Sequence, residues 1–141
     1  MTAWGLRVHA IQPQMGANVM PGKVTLPSRH VVERYFQMWN TGDTSIAVEV
    51  LSPDWVDHAH PEVTAPKGVQ DAVEQIRAAQ PGLCFQIDAI LGDGDLVAVV
   101  GAVGQTTEPA SEPARVSHLV WLVRLQDGLM VEMWTYQTTT P

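Results

Sequence analysis

A chain of 141 residues with 45% hydrophobic and 16% charged side chains is long enough for one buried core and has an ordinary globular composition. The net charge of −7 argues against nucleic acid or an anionic membrane as a standing partner, and the lone Cys84 forbids an intramolecular disulfide or a multi-cysteine metal centre. The longest nearly apolar stretch, Leu96 to Gly104, falls far short of the roughly 20 residues a membrane helix requires, and no signal peptide is visible, so a cytoplasmic setting is expected.

Residues 1–27 carry Arg7 and Lys23 but no acid, together with Pro13, Pro21 and Pro27, and show neither helical nor alternating periodicity. They read as an N-terminal arm, ordered only by packing on its own domain or on a neighbouring subunit. The domain proper spans 28–141. Ser28 is the expected N-cap of a first helix, whose stripe of Val31, Val32, Tyr35, Phe36 and Trp39 runs to about Asn40. After the turn at Thr41-Gly42-Asp43-Thr44 come a short second helix, Ser45 to Leu51, and a short strand, Asp54 to His60, stopped by Pro61. A third helix covers about Val69 to Ala79 and closes at Pro81-Gly82. Four antiparallel strands follow: Leu83–Leu91, Leu96–Thr106, Val116–Leu125 and Leu129–Gln137, with turns at Gly92-Asp93-Gly94-Asp95 and near Asp127-Gly128. Segregated helices and strands predict an α+β fold, helices covering one face of a curved antiparallel sheet.

A two-residue turn at Asp127-Gly128 sets Val120 opposite Thr135, Leu122 opposite Met133 and His118 opposite Gln137. One face then holds His118, Val120, Leu122, Met133, Thr135 and Gln137. The other holds Leu119, Trp121, Val123, Glu132, Trp134 and Tyr136. Alternation in the first strand puts Val56, His58 and His60 on one side and Asp57 on the other.

Five motifs occur in order: Val31-Val32-Glu33-Arg34-Tyr35-Phe36; Asn40-Thr41-Gly42-Asp43; Trp55-Val56-Asp57-His58 with Pro61; Gly68-Val69-Gln70-Asp71-Ala72-Val73; and Asp127-Gly128-Leu129-Met130-Val131-Glu132-Met133-Trp134. Over residues 28 to about 138 the chain resembles the SnoaL-like polyketide cyclases, of the wider group that includes ketosteroid isomerase and the nuclear transport factor. The resemblance implies a cone, a strongly bent sheet closed by three N-terminal helices around one pocket. It also implies that the face of Met133, Thr135 and Gln137 lines that pocket, together with His118, Val120 and Leu122. Trp121, Trp134 and Tyr136 then form an outer apolar patch, and a back-to-back homodimer through that patch is expected.

The resemblance places His58 near the isomerase's general-base aspartate, and a histidine with an unperturbed pKa of about 6.5 suits that task. Tyr35 matches the position of the family's hydrogen-bond-donating tyrosine, and His118 is a second proton-carrying candidate. Trp39, Trp55 and His60 join the expected walls. Val120 stands where the isomerase keeps a protonated aspartate, and Trp134 to Thr138 holds no acid, so a ketosteroid isomerase is disfavoured. The expectation is a cofactor-independent cyclase or isomerase that abstracts a proton next to a carbonyl of an apolar, oxygenated small molecule. Its alternatives are a non-catalytic binding protein for such a molecule and a dimerisation module with a vestigial pocket. No cofactor and no metal is expected, because Asp57 points away from the histidines that could share an ion.

Overall fold

The computed structural model describes residues 27–106 and 114–138; the arm expected over residues 1–27 lies, but for Pro27, outside them. Helix α1 (Ser28–Thr41) buries Val31, Val32, Tyr35, Phe36 and Met38, one continuous side. Pro27, not Ser28, is its N-cap, and the Pro27 carbonyl accepts from His30 and Val31. The helix stops at Gly42, whose left-handed φ of 82° lets its N–H reach the Met38 carbonyl at 2.8 Å. Helix α2 (Ile46–Val50) runs directly into strand β1 (Leu51–Asp57), which starts and ends earlier than the sequence pattern suggests. Helix α3 (Ala65–Ala79) begins four residues before the expected Val69, with Pro66 in its first turn, where the missing N–H costs nothing. Strands β2 (Leu83–Leu91), β3 (Leu96–Gln105), β4 (Ala114–Gln126) and β5 (Leu129–Gln137) complete the chain order. No helix among the described residues is long and apolar enough to cross a membrane.

The strands form one sheet in the order β1-β5-β4-β3-β2. It is mixed, not purely antiparallel: β1 lies parallel to β5, with Val56 beside Glu132 and Asp57 beside Met133. Pro53 donates no hydrogen bond, and the β1–β5 register shifts between Leu51 and Val56, a break that an edge strand tolerates. The helices pack on one face, where the core includes Trp55, Met38, Ile46 and Val73. At the other edge, the Asn40 side chain replaces a neighbouring strand for one residue. Its amide donates to the Phe85 carbonyl at 2.9 Å, and its carbonyl accepts from the Phe85 N–H at 2.7 Å.

The β4–β5 register corrects the expected one. Leu125 pairs with Met130 as a two-residue turn requires, but Arg124 pairs with Glu132, so Val131 is an extra residue in β5. Beyond this bulge every pair moves by one: Val123 faces Met133, Trp121 faces Thr135, and Leu119 faces Gln137. A one-residue slip exchanges the faces of a strand. Leu119, Trp121 and Val123 therefore share the inner side with Met133 and Thr135, while His118, Val120 and Leu122 lie outside with Trp134 and Tyr136. Burial agrees, with Trp121 4% and Val123 0% exposed. The outer patch expected of Trp121, Trp134 and Tyr136 thus loses Trp121, and Val56, Val120 and Leu122 take its place beside the other two.

The β2–β3 pairing leaves no room for a side chain at Gly101. A Cβ at this position would overlap the Gln86 carbonyl oxygen and lie 3.3 Å from the Ile87 Cα, backbone atoms that cannot step aside. Gly101 pairs with Ile87, just before the β2 bulge between Ile87 and Ala89. Gly101→Ala is expected to destabilise the fold by roughly 2–4 kcal/mol, read as a lowered urea midpoint with an unchanged slope.

Candidate active site

One cavity of about 610 Å³ lies between the helices and the inner face of the sheet, within the size range of small-molecule sites. Helix α1 contributes Tyr35, Phe36 and Trp39, helix α3 contributes Val69, Ala72 and Ile76, and the strands contribute Phe85, Trp121, Met133 and Thr135. One wall is aromatic. The Phe36 and Trp121 rings lie 4.9 Å apart, Phe36 and Phe85 5.8 Å, and Trp39 and Phe85 5.5 Å, tilted as ring quadrupoles prefer. Arg77 joins the three elements around this wall, donating to the Trp39 carbonyl at 2.8 Å and to the Leu83 carbonyl at 3.0 Å. Its charge thereby meets carbonyls of the last turn of α1 that lack a helical partner. Among the described residues, neither Lys nor Arg lines the cavity.

The chemistry of the cavity centres on Asp57 at the C-terminal end of β1. It shares the inner side of that strand with Trp55 and is 8% exposed, and among the described residues it is the buried charged side chain of the core. Its Oδ1 accepts the Ala59 N–H at 3.0 Å, an Asx-turn that folds the chain back, and its carbonyl accepts the His60 N–H at 3.0 Å. Burial pushes the Asp57 carboxyl above the usual carboxylate range, against the pull of the Ala59 N–H and of His60. Tyr35 is 3% exposed, and its ring packs 5.8 Å from Trp55, two residues before Asp57. Burial, reinforced by the Asp57 charge, raises the Tyr35 phenol well above its ordinary value, so it stays protonated and able to donate.

Of the residues singled out from the sequence, Tyr35, Trp39, His60, Met133 and Thr135 line the cavity. His58 does not. Strand β1 ends at Asp57, and the side that carries Val56 and His58 is the outer one. There His58 Nε2 meets Glu132 Oε2 at 2.7 Å and its ring stacks on Trp134, centroids 4.9 Å apart at 7°. Glu132 also accepts from Arg124 Nε at 2.9 Å, and these two hydrogen bonds hold its carboxyl below the usual range. His118 is exposed on the outer face, its carbonyl taken by Thr138, and Val120 and Leu122 follow it there through the β5 bulge. Trp55 is core, and Gln137 lies exposed at the end of β5 without reaching the cavity. Asp57, Leu119 and Trp121 line the cavity against the sequence expectation, which turns them away from it. The signal for Asp57 was its spacing of two from Trp55, a large apolar side chain certain to face the core. Among the described residues, no three or more His, Cys, Asp or Glu side chains converge as a metal site would require.

The fold and site define a small α+β protein that holds a buried carboxyl and a phenol in an apolar cavity. The chain belongs to the SnoaL-like domain family, whose model matches residues 32–133. Solved structures are similar in fold. IdmH, a candidate polyketide cyclase from Streptomyces antibioticus, is 23% identical with a TM-score of 0.61, over 78% of this chain and 91% of that one. A candidate polyketide cyclase from Bacillus cereus is 20% identical with a TM-score of 0.64, over 78% and 73%. A candidate isomerase of the SnoaL-like family from Agrobacterium tumefaciens is 16% identical with a TM-score of 0.63, over 79% and 97%. No curated protein matches the chain in sequence.

Asp57 links the site to stability. A carboxyl whose pKa is raised in the folded state favours folding fully below its unfolded value of about 3.9, and that contribution is lost as pH rises through the folded value. Asp57→Asn keeps the acceptor for Ala59 and removes the buried charge. It is expected to raise the unfolding free energy by roughly 0.5–2 kcal/mol at pH 7.5, an advantage that shrinks as pH falls toward 4 in parallel urea titrations.

Proposed function

We propose that the cavity binds an apolar, oxygen-bearing small molecule and catalyses proton abstraction next to its carbonyl, without a cofactor. The observation that carries this reading is the pairing, in one cavity, of a buried carboxyl, raised above the usual carboxylate range by its burial, with a buried phenol held protonated. A carboxylate of raised basicity is a stronger proton acceptor than an exposed one. Asp57 accepts the proton from the carbon beside the carbonyl. The electron pair moves onto the carbonyl oxygen, and Tyr35 donates a hydrogen bond to the oxygen as it gains charge. The resulting enolate is reprotonated at another carbon, which is an isomerisation, or attacks a second carbonyl, which closes a ring. The similarity to candidate polyketide cyclases and a candidate isomerase supports both outcomes as the reaction class. The aromatic wall of Phe36, Phe85 and Trp121 provides an apolar surface of mutually tilted rings for a ring-containing body.

The test uses 2-tetralone, a fused-ring ketone with acidic α-protons, in D₂O. Wild-type protein is expected to accelerate α-proton exchange, followed by NMR. Asp57→Asn should lower the accelerated rate roughly 100-fold or more, and Tyr35→Phe roughly 10- to 100-fold, with ketone affinity retained in both. Wild-type rates in Asp57→Asn would overturn the assignment of the base. Tight ketone binding with no acceleration by wild-type protein would favour the binding-protein reading.

A further inference from the structure

We propose that His60 is the proton relay of this site, carrying the proton that Asp57 takes from the substrate out to water and so returning Asp57 to its basic form. The inference rests on Asp57 being the base, and it answers a question that burial raises. Asp57 is 8% exposed, and an apolar ligand filling the cavity displaces the water that would otherwise deprotonate it.

Among the described residues the cavity has four titratable lining side chains, in two pairs. The inner pair is Asp57 and Tyr35, both buried. The mouth pair is His60 and Glu62, whose side chains are 66% and 72% exposed, with His60 Nδ1 3.8 Å from Glu62 Oε2. Tyr35 is held protonated and cannot accept. Glu62 is an ordinary exposed carboxylate, separated from Asp57 by the turn and repelling its charge. His60 lines the same cavity as Asp57, exposes most of its ring to solvent, and is the one imidazole among the described lining residues.

Local geometry holds the two together. The Asx-turn through Ala59 and the His60 N–H bond to the Asp57 carbonyl reverse the chain within three residues. The His60 carbonyl then accepts the Val63 N–H at 3.0 Å, fixing the far side of the turn before Pro61-Glu62 leads into α3. His58 in the same turn is committed to Glu132 on the other side of the sheet and is not available. The step balances simply. The Asp57 O–H passes its proton through an intervening water to a neutral imidazole nitrogen of His60, leaving a carboxylate and an imidazolium. The imidazolium then releases the proton to water beside Glu62, and the same path in reverse returns a solvent proton to Asp57, which delivers it to the enolate carbon.

The experiment measures α-proton exchange of 2-tetralone in D₂O at saturating ketone, with ketone affinity measured in parallel. His60→Ala is expected to slow exchange roughly tenfold or more at pH 7 with affinity unchanged. Added imidazole should restore the rate in proportion to its concentration, while leaving the wild-type and Asp57→Asn rates unmoved. An unchanged rate in His60→Ala overturns the relay. So does a loss that imidazole does not recover, or one accompanied by an equal loss of ketone affinity, because either marks a merely structural role. In each of these outcomes Asp57→Asn still abolishes exchange if Asp57 is the base, so the two assignments fail separately. His60→Gln, which keeps polarity and size without a titrating nitrogen, should behave as His60→Ala does; wild-type exchange in this variant also overturns the proposal.

Discussion

One extra residue in β5 decides what the cavity is made of. Leu125 and Met130 pair across the last hairpin as its short turn dictates, and Val131 then lengthens one strand against the other. From that point outward, Trp121 and Leu119 turn toward the helices and His118, Val120 and Leu122 turn away. The bulge also puts Glu132 outside, beside Arg124 and His58, while leaving Met133 beneath Asp57. Without it the cavity would present an imidazole and two small aliphatic chains in place of an indole, and the helix-facing core would lose its large ring at Trp121. Packing complementarity between α1 and the sheet, Phe36 against Trp121 above all, holds the bulged register in place.

The candidate base illustrates how stability and chemistry pull in opposite directions at such a site. A carboxyl at the closed side of an apolar cavity is costly when ionised, and the structure offsets only part of that cost with the Ala59 N–H. The remainder is what raises the carboxyl above the usual carboxylate range. Tyr35 undergoes the same desolvation with the opposite use, since burial keeps its proton on. One cavity thereby holds a carboxyl and a phenol whose pKa values burial raises alike.

Much of this was legible from residue order. The α1 stripe and the limits of β2 and β5 follow from periodicity and punctuation, and of the residues that the family resemblance assigns to a pocket, Tyr35, Trp39, His60, Met133 and Thr135 line the cavity. The failures share a cause. Alternation grouped Val56, His58 and His60 against Asp57, but β1 ends at Asp57 and the turn brings His60 to the cavity with Asp57 while Val56 and His58 stay outside; which side faces the core depends on pairing with a strand at the far end of the chain. The hairpin turn predicts the register of its first two pairs and says nothing about a bulge three residues on. Both errors concern long-range packing, which overrides local pattern wherever the two disagree. The burial of Trp55 was the local clue to Asp57, because residues two apart on a strand share a face.

The parallel pairing of β1 with β5 also shapes how the molecule comes into being. It joins the first strand of the domain to the last, so this edge of the sheet closes only after nearly the whole chain is available. Contacts of such sequence separation form late, after the entropy of a long loop has been overcome, and they slow folding. During synthesis the helices and β1 leave the ribosome with no sheet to cover, and β5, the final strand, supplies the backbone partner that fixes Asp57 in position. The hairpins β2–β3 and β4–β5 can assemble from neighbouring sequence, whereas the acid, the phenol and the aromatic wall meet only at the last docking step. A chain truncated before β5 would therefore keep the acid, the phenol and the aromatic wall without ever assembling the site.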